Sequence, residues 1–469
     1  MLTRICIKGF KNLVDAEIRF GAFTCVAGLN GAGKSNLFDV IAFLRDLADF
    51  PIAEAASRIR SIEGNNNSSI ASLFSKKPGG GWRELHIEVD FFVPKIVFDD
   101  FERQATPSTT FLTYKVVLKY IPADAGVEKI ELLLEELTYI PKSETKKRIG
   151  FPASKGFLDS VLGGNKRSDF ISTLNETQDS KTVILLHQDQ AKGSPSRVPA
   201  STTPRTVLST VNTDDRPTAL AARREMQSWA QLQLEPSKLR MPDSFSSDEK
   251  LTAAGEHLPA TLLRLNRFDQ ISNTLSQLLP HIDGLRVDID ETRRSKTLYL
   301  KQRNGEEHPA RSLSDGTLRF LALATLSHDP VAGGLICIEE PENGIHPARI
   351  PAIVDLLKSM VVDIGAEVSD ENPLRQIIIN THSPSVVQRL NTEDLVLATP
   401  VRLGATTVTA FAAIKNTWRE NIPTISLRAK PLSRDGLIDY LQNVKSEALF
   451  EAPNEITIAN WAQKELGLT

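Results

Sequence analysis

The sequence predicts an α/β fold, a mixed sheet flanked by helices with a helical lobe and a variable insertion, and three observations predict it. First, "FTCVAGLNGAGKSNLFDVIAFL" runs from a short apolar segment through a glycine-rich loop into a helix-period pattern. Second, "LICIEE" and "QIIINTHSP" are continuous apolar runs ending in polar residues, the pattern of parallel strands buried on both faces. Third, 469 residues at 41% apolar and 24% charged exceed one ordinary core, so the chain holds two or three lobes or one domain with a large insertion.

The elements follow in order. "LTRICIKGF" and "GAFTCVAGL" are predicted strands, followed by a helix from about Lys34 to Ala48. "ELHIEVDFFV" alternates through Leu85, Ile87, Val89 and Phe91 as a half-buried strand. Residues 1–92 therefore form a first unit. From 93 to 300 the pattern loosens into a variable α+β insertion and helical lobe. There "TYKVVLKYI" and "KIELLLEELTYI" are strands or a strand and a helix, and the polar Pro/Ser/Thr stretch at about 190–217 is expected to be a flexible loop. "TALAARREMQSWAQLQL" and "LPATLLRLNRFDQISNTLSQLLPHI" have helical spacing. Dense motifs return over 301–400, and 401–469 is a C-terminal extension open to partner contact.

A net charge of −3 gives no global signal for a polyanionic partner. Nucleic-acid contact would have to come from local clusters, of which "KKR" at 146–148, "NKR" at 165–167, "ARR" at 222–224 and "RR" at 293–294 are candidates. The three cysteines, Cys6, Cys25 and Cys337, lie in apolar runs without zinc-ligand spacing, which fits a reducing compartment. No leader pattern and no apolar stretch of membrane-spanning length is evident, so the expected location is the cytoplasm, with no membrane partner.

"GLNGAGKS" fits GxxxxGK[ST] through Gly28, Gly33, Lys34 and Ser35. Such glycines let successive backbone N–H groups point at phosphate oxygens, the following helix adds its positive end, the lysine neutralises β/γ charge and the serine reaches Mg²⁺. In "GGLICIEEPENGIHP" a buried strand ends in Glu339 and Glu340, suited respectively to a Mg²⁺ shell and to deprotonating water. In "RSLSDGTLRFLALATL", Ser314, Asp315 and Gly316 open an apolar helix, either as an anion site or as a plain N-cap. "NTHSP" places His382 at a strand end, where it contacts a γ-phosphate or is a satisfied core histidine.

Taken in order, "GLNGAGKSN", "LSDGTLRF", "LICIEEPENGIHP" and "NTHSP" resemble the Walker A, signature, Walker B with D-loop, and H-loop motifs of ABC-type ATPases. The opening "IKGFKNLVDAEIRF" resembles the start of the RecF, SMC and OLD branch, the AAA-family or RecF-like ATPases, and "PSKLRMP" and "GEHLPATLLRL" resemble bacterial members of it. The resemblance covers about residues 1–50 and 235–400. It implies ATP and Mg²⁺ as ligands, with Asn30, Gly31, Gly33, Lys34, Ser35 and Asn36 around the phosphates. It also implies Mg²⁺ on Ser35 and Glu339, Glu340 as catalytic base and His382 as γ-phosphate sensor. Ser314, Asp315 and Gly316 would complete the nucleotide site of a second subunit, so ATP would join a homodimer or higher homo-oligomer. Glu339 departs from the usual aspartate, and no Q-loop glutamine is identified between 50 and 140.

After His382, "DGLIDYL" lacks the Glu-Gly pair and DxD of the Toprim nuclease that follows the ATPase in OLD-type proteins, and a His-rich nuclease signature is absent too. The resemblance therefore implies an ATPase subunit working with a separately encoded nuclease or toxin, similar to the ATPase of the anti-phage systems PARIS or Septu. Two other readings stay open: a RecF-like DNA-repair clamp on duplex DNA, and a nucleotide held for structure only.

Overall fold

The computed structural model describes residues 1–442 apart from 60–69, 78–79, 123–127, 165–167, 177–180, 190–193, 331, 404–405, 421–425 and 427–428. Two large sheets and a small one carry the architecture. The first has eight strands, all antiparallel to their neighbours, in the order Ser196–Pro199, Lys181–Leu186, Ile171–Glu176, Lys129–Tyr139, Phe111–Ile121, Leu85–Phe92, Leu2–Phe10, Leu13–Arg19. The second has six, in the order Ala230–Leu232, Gly334–Glu339, Arg375–Thr381, Phe23–Ala27, Leu395–Leu403, Thr406–Ala413. Its first five strands are parallel, and the last closes an antiparallel hairpin.

Alternation along the parallel strands explains the layering. On the Gly334–Glu339 strand, Leu335 and Cys337 join the core shared with the eight-stranded sheet, whereas Ile336 and Ile338 join the core on the opposite face. The helix Lys34–Leu47 lies in the first of these cores, with Leu37, Phe38, Val40, Phe43 and Leu44 all buried against both sheets. It is buried nearly all round because it is sandwiched. A buried ion pair, Lys11 Nζ to Asp39 Oδ2 at 2.7 Å, also ties it to the turn after the first strand. The helices Asp315–Ser327 and Ile350–Ser359 pack on the other face.

The structure redraws three of the expected boundaries. Leu85–Phe92 pairs with Leu2–Phe10 on one side and Phe111–Ile121 on the other, so a border at 92/93 would cut through one sheet. Five strands between residues 111 and 199, Phe111–Ile121, Lys129–Tyr139, Ile171–Glu176, Lys181–Leu186 and Ser196–Pro199, extend that sheet. The stretch expected to be a flexible loop at 190–217 is built in, as far as it is described. Ser196–Pro199 is an edge strand, and the Glu135 carboxylate accepts from the backbone N–H of Val207 at 2.6 Å and of Leu208 at 2.8 Å. A buried side chain there satisfies backbone groups that a ladder would otherwise serve, so polar composition misleads. Residues 401–403 and 406–413 belong to the six-stranded sheet, while 443–469 lie outside the described residues.

"KIELLLEELTYI" forms a single strand, Lys129–Tyr139. The "TALAARREMQSWAQLQL" pattern splits into the helix Pro217–Gln227 and the strand Ala230–Leu232. The next helical run breaks at Asn266, φ +48°, into Leu258–Leu265 and Phe268–Leu278. Among the described residues no helix is long and apolar enough to cross a membrane.

Candidate functional site

The fully buried strand Phe23–Ala27 lies between Arg375–Thr381 and Leu395–Leu403, so the loop that leaves it emerges at the carboxyl end of a parallel sheet. Two glycines there are sterically required. A Cβ on Gly28 would lie 2.3 Å from the Ala398 carbonyl oxygen. Gly33 has φ +87°, and its Cβ would lie 1.9 Å from Thr409 Oγ1. Asn30 and Gly31 are exposed at the loop tip. No side chain caps the helix that starts at Lys34, and its first turn holds no acidic residue, so its N-terminal donors face an anion uncompensated.

Lys34 is buried, and its Nζ donates to the carbonyl oxygens of Gly28 at 2.7 Å and Leu29 at 2.9 Å. Burial lowers its ammonium below the ordinary lysine value, against the opposing charges of Glu340, Glu342 and Glu339. Asn36, expected near the phosphates, gives its amide to Asn12 Oδ1 at 2.7 Å. Thr409 Oγ1 donates to the Ala32 carbonyl at 2.9 Å, and Thr409 N to the Asn12 carbonyl at 2.9 Å, so Asn12 and Thr409 floor the loop.

The acidic residues come from the neighbouring strands. Glu339 is in register with Asn380, and Thr381 with Ala27, so the ends of three adjacent strands converge. Glu339 Oε1 accepts from Gln231 Nε2 at 3.0 Å. Glu340 turns at φ +43°, held by its N–H to Asn380. Its Oε1 is 2.8 Å from His382 Nδ1, and its Oε2 accepts from Asn343 Nδ2 at 2.6 Å. Glu342 is buried, Thr381 Oγ1 donates to its Oε1, and its Oε2 has no hydrogen-bond partner. Burial raises the Glu342 carboxyl above the ordinary range. The oxygen donors of Ser35 and Glu339 fit a hard divalent cation, with the remaining ligands left to phosphate and water. The orphaned Glu342 oxygen adds unspent negative charge near Lys34.

Ser314, Asp315 and Gly316 sit elsewhere. Ser314 Oγ caps its own helix, accepting from Thr317 N at 3.2 Å, and Asp315 pairs with Arg240. Ser314 and Gly316 line a cleft of about 480 Å³ with Thr317, Gly344, His346 and Arg349, and none of residues 28–36 reaches it. The helix they open packs on the face of the six-stranded sheet opposite the Lys34–Leu47 helix.

Sequence reasoning missed Gln231, Asn343, and the Asn12–Thr409 floor. Gln231 follows a short apolar run well downstream of residues 50–140, where a glutamine was sought, and only the pairing of Gln231 with Cys337 reveals its place.

A glycine-rich loop and a carboxylate pair at the carboxyl ends of two parallel strands that flank a third define a P-loop ATPase head of the ABC type. Residues 23–388 match the family described as "AAA domain, putative AbiEii toxin, Type IV TA system", and the chain belongs to that family. No curated protein matches the sequence. The chain is similar to a solved SMC head bound to the C-winged helix domain of ScpA, at 12% identity over 88% of this chain and 98% of that one, TM-score 0.45. It is also similar to the SMC head domain from Thermotoga maritima, at 12% identity over 87% and 98%, TM-score 0.37.

Proposed function

We propose that the chain binds and hydrolyses ATP, and that its ATP-dependent homodimer is a sensor and scaffold controlling a separately encoded nuclease or toxin in anti-phage defence, as in PARIS- or Septu-like systems. One observation carries the dimer. The phosphate cradle at Lys34 and the anion donors at Ser314–Gly316 stand on helices that pack against opposite faces of one sheet. A nucleotide on the cradle therefore meets the donors of a second copy, and binding becomes association. The toxin–antitoxin system named in the family description supports a role in a system of that kind.

The roles follow from chemistry. Backbone N–H groups of 30–35 and Lys34 hold the phosphates, drawing Lys34 off the Gly28 and Leu29 carbonyls. Ser35 and Glu339 would hold Mg²⁺, which would supply charge neutralisation at the phosphates. Gln231 orients Glu339, Glu340 takes the proton of the attacking water, and His382 holds Glu340 and faces the γ-phosphate.

Glu340→Gln tests the reading. Turnover should fall on the order of 10²- to 10⁴-fold, the usual worth of a general base, while light scattering shows an ATP-bound dimer accumulating. A variant that stays monomeric at saturating ATP overturns the clamp. The DNA-clamp alternative finds less support, because Arg148 faces Asp90, Arg223 and Arg224 engage Asp49 and Asp100, and Arg293 faces Asp290. Duplex binding that weakens steeply with salt would favour it instead.

A further inference from the structure

The loop 340–346 touches the signature helix at two points. Arg319, on the first turns of Asp315–Ser327, donates from Nη1 to the Asn343 carbonyl oxygen at 2.6 Å. A Cβ on Gly316 would lie 3.3 Å from the Gly344 carbonyl oxygen, so helix and loop are packed together there. The side chain of Asn343 meanwhile donates to Glu340 Oε2 at 2.6 Å, and His382 Nδ1 is 2.8 Å from Oε1. Both oxygens of the base are thus engaged by the chain's own groups, and one donor belongs to a residue whose carbonyl the signature helix grips. Arg319 Nε is buried and has no hydrogen-bond partner among the described residues, so its guanidinium gains from a second arrangement.

We infer that Asn343, held by Arg319, is a positioning residue that clamps the Glu340 carboxylate, so that proton abstraction at a subunit's own nucleotide depends on what its signature helix is touching. The inference rests on the ATP-dimer reading above. A carboxylate engaged at both oxygens is aimed at those partners instead of at water. Contact at Ser314–Gly316 moves the helix end that holds Asn343, and release of Oε2 frees the base. The two nucleotide sites of a dimer are then coupled through a named element with two arrangements.

The test is ATP turnover per subunit across a range of protein concentrations for wild type, Asn343→Ala, Arg319→Met and Arg319→Lys. The clamp predicts that Asn343→Ala raises turnover at least fivefold at the lowest concentrations, with the KM for ATP within twofold of wild type. Arg319→Met should behave alike, and Arg319→Lys should restore the concentration dependence. Turnover that is lowered or unchanged at every concentration in both Asn343→Ala and Arg319→Met overturns the clamp. Dimer formation by Glu340→Gln, measured in parallel, separates the two ideas. If that dimer forms and neither variant gains turnover, the clamp alone falls; if it does not form and no variant hydrolyses ATP, both fall.

Discussion

Glu135 gives the structure a pH-dependent stability that can be worked out in advance. Its carboxyl is fully buried, accepts from the backbone of Val207 and Leu208, and takes the Tyr114 hydroxyl at 3.1 Å. The segment it holds bears on the back of the P-loop helix, where Thr206 Oγ1 donates to the Leu47 carbonyl at 3.0 Å. Burial pushes the carboxyl up from 4.5 to about 7, against the lowering effect of its three donors. The folded state thus binds this proton more tightly than the unfolded chain. The associated stability is complete below pH 4.5 and is lost as pH rises through 7. Between pH 5 and pH 8 the loss is about 2.5 kcal/mol. Glu135→Gln does not titrate, and its amide sets a donor against a backbone N–H, at a constant cost of about 1–3 kcal/mol. Urea unfolding of both proteins at pH 5 and pH 8 isolates the group, because every other titration cancels in the double difference. Wild type should lose about 2.5 kcal/mol more than the variant over that interval. Equal losses would refute both the raised affinity and the assignment of Glu135 as its source.

Two further substitutions probe the cradle. Gly33→Ala should abolish ATP binding by calorimetry and lower stability by about 2 kcal/mol or more, since left-handed backbone alone costs an L-residue about 1–2 kcal/mol and the added carbon collides with Thr409. Gly31→Ala, at φ +79° with nothing within 4 Å of the new carbon, should lose only the backbone part. Gln231→Leu should raise the Mg²⁺ concentration needed for half-maximal turnover about 10-fold or more, as loss of an outer partner typically does, with ATP affinity in chelator unchanged. A Mg²⁺ titration that overlays wild type would remove Gln231 from the site.

What was legible in the sequence follows a physical line. Lys34, Glu339, Glu340 and His382 stand on or beside strands buried on both faces, which are written as unbroken apolar runs, and positive-φ glycines mark the loop itself. Gln231 escaped because its strand has three residues and is defined only by pairing with Ile336–Ile338, far along the chain. The floor of the loop escaped for the same reason. Asn12, Asn36 and Thr409 have no common period and meet only once two sheets are stacked. The polar stretch before Pro217 looked like a loop because its order comes from partners far along the chain, the buried Glu135 and the Leu47 carbonyl among them, and composition carries no trace of such partners.

The stacking of the sheets also bears on why the site is divided. A helix wedged between two sheets, with Lys11 paired to Asp39 on its flank, has little freedom to move, so the cradle at its end is fixed before any ligand arrives. The Asp315–Ser327 helix packs in the core on the opposite face and meets the loop 340–346 through Gly316 and Arg319. In the proposed dimer the cradle sets where the phosphates go, and the start of this helix registers the second copy. Glu340 stands between them, its backbone anchored to Asn380 on the central sheet and its side chain shared by His382 and Asn343. A base anchored at the backbone and contested at both oxygens suits the proposed dimer, in which hydrolysis waits for assembly, because moving one amide is enough to change what the carboxylate can do.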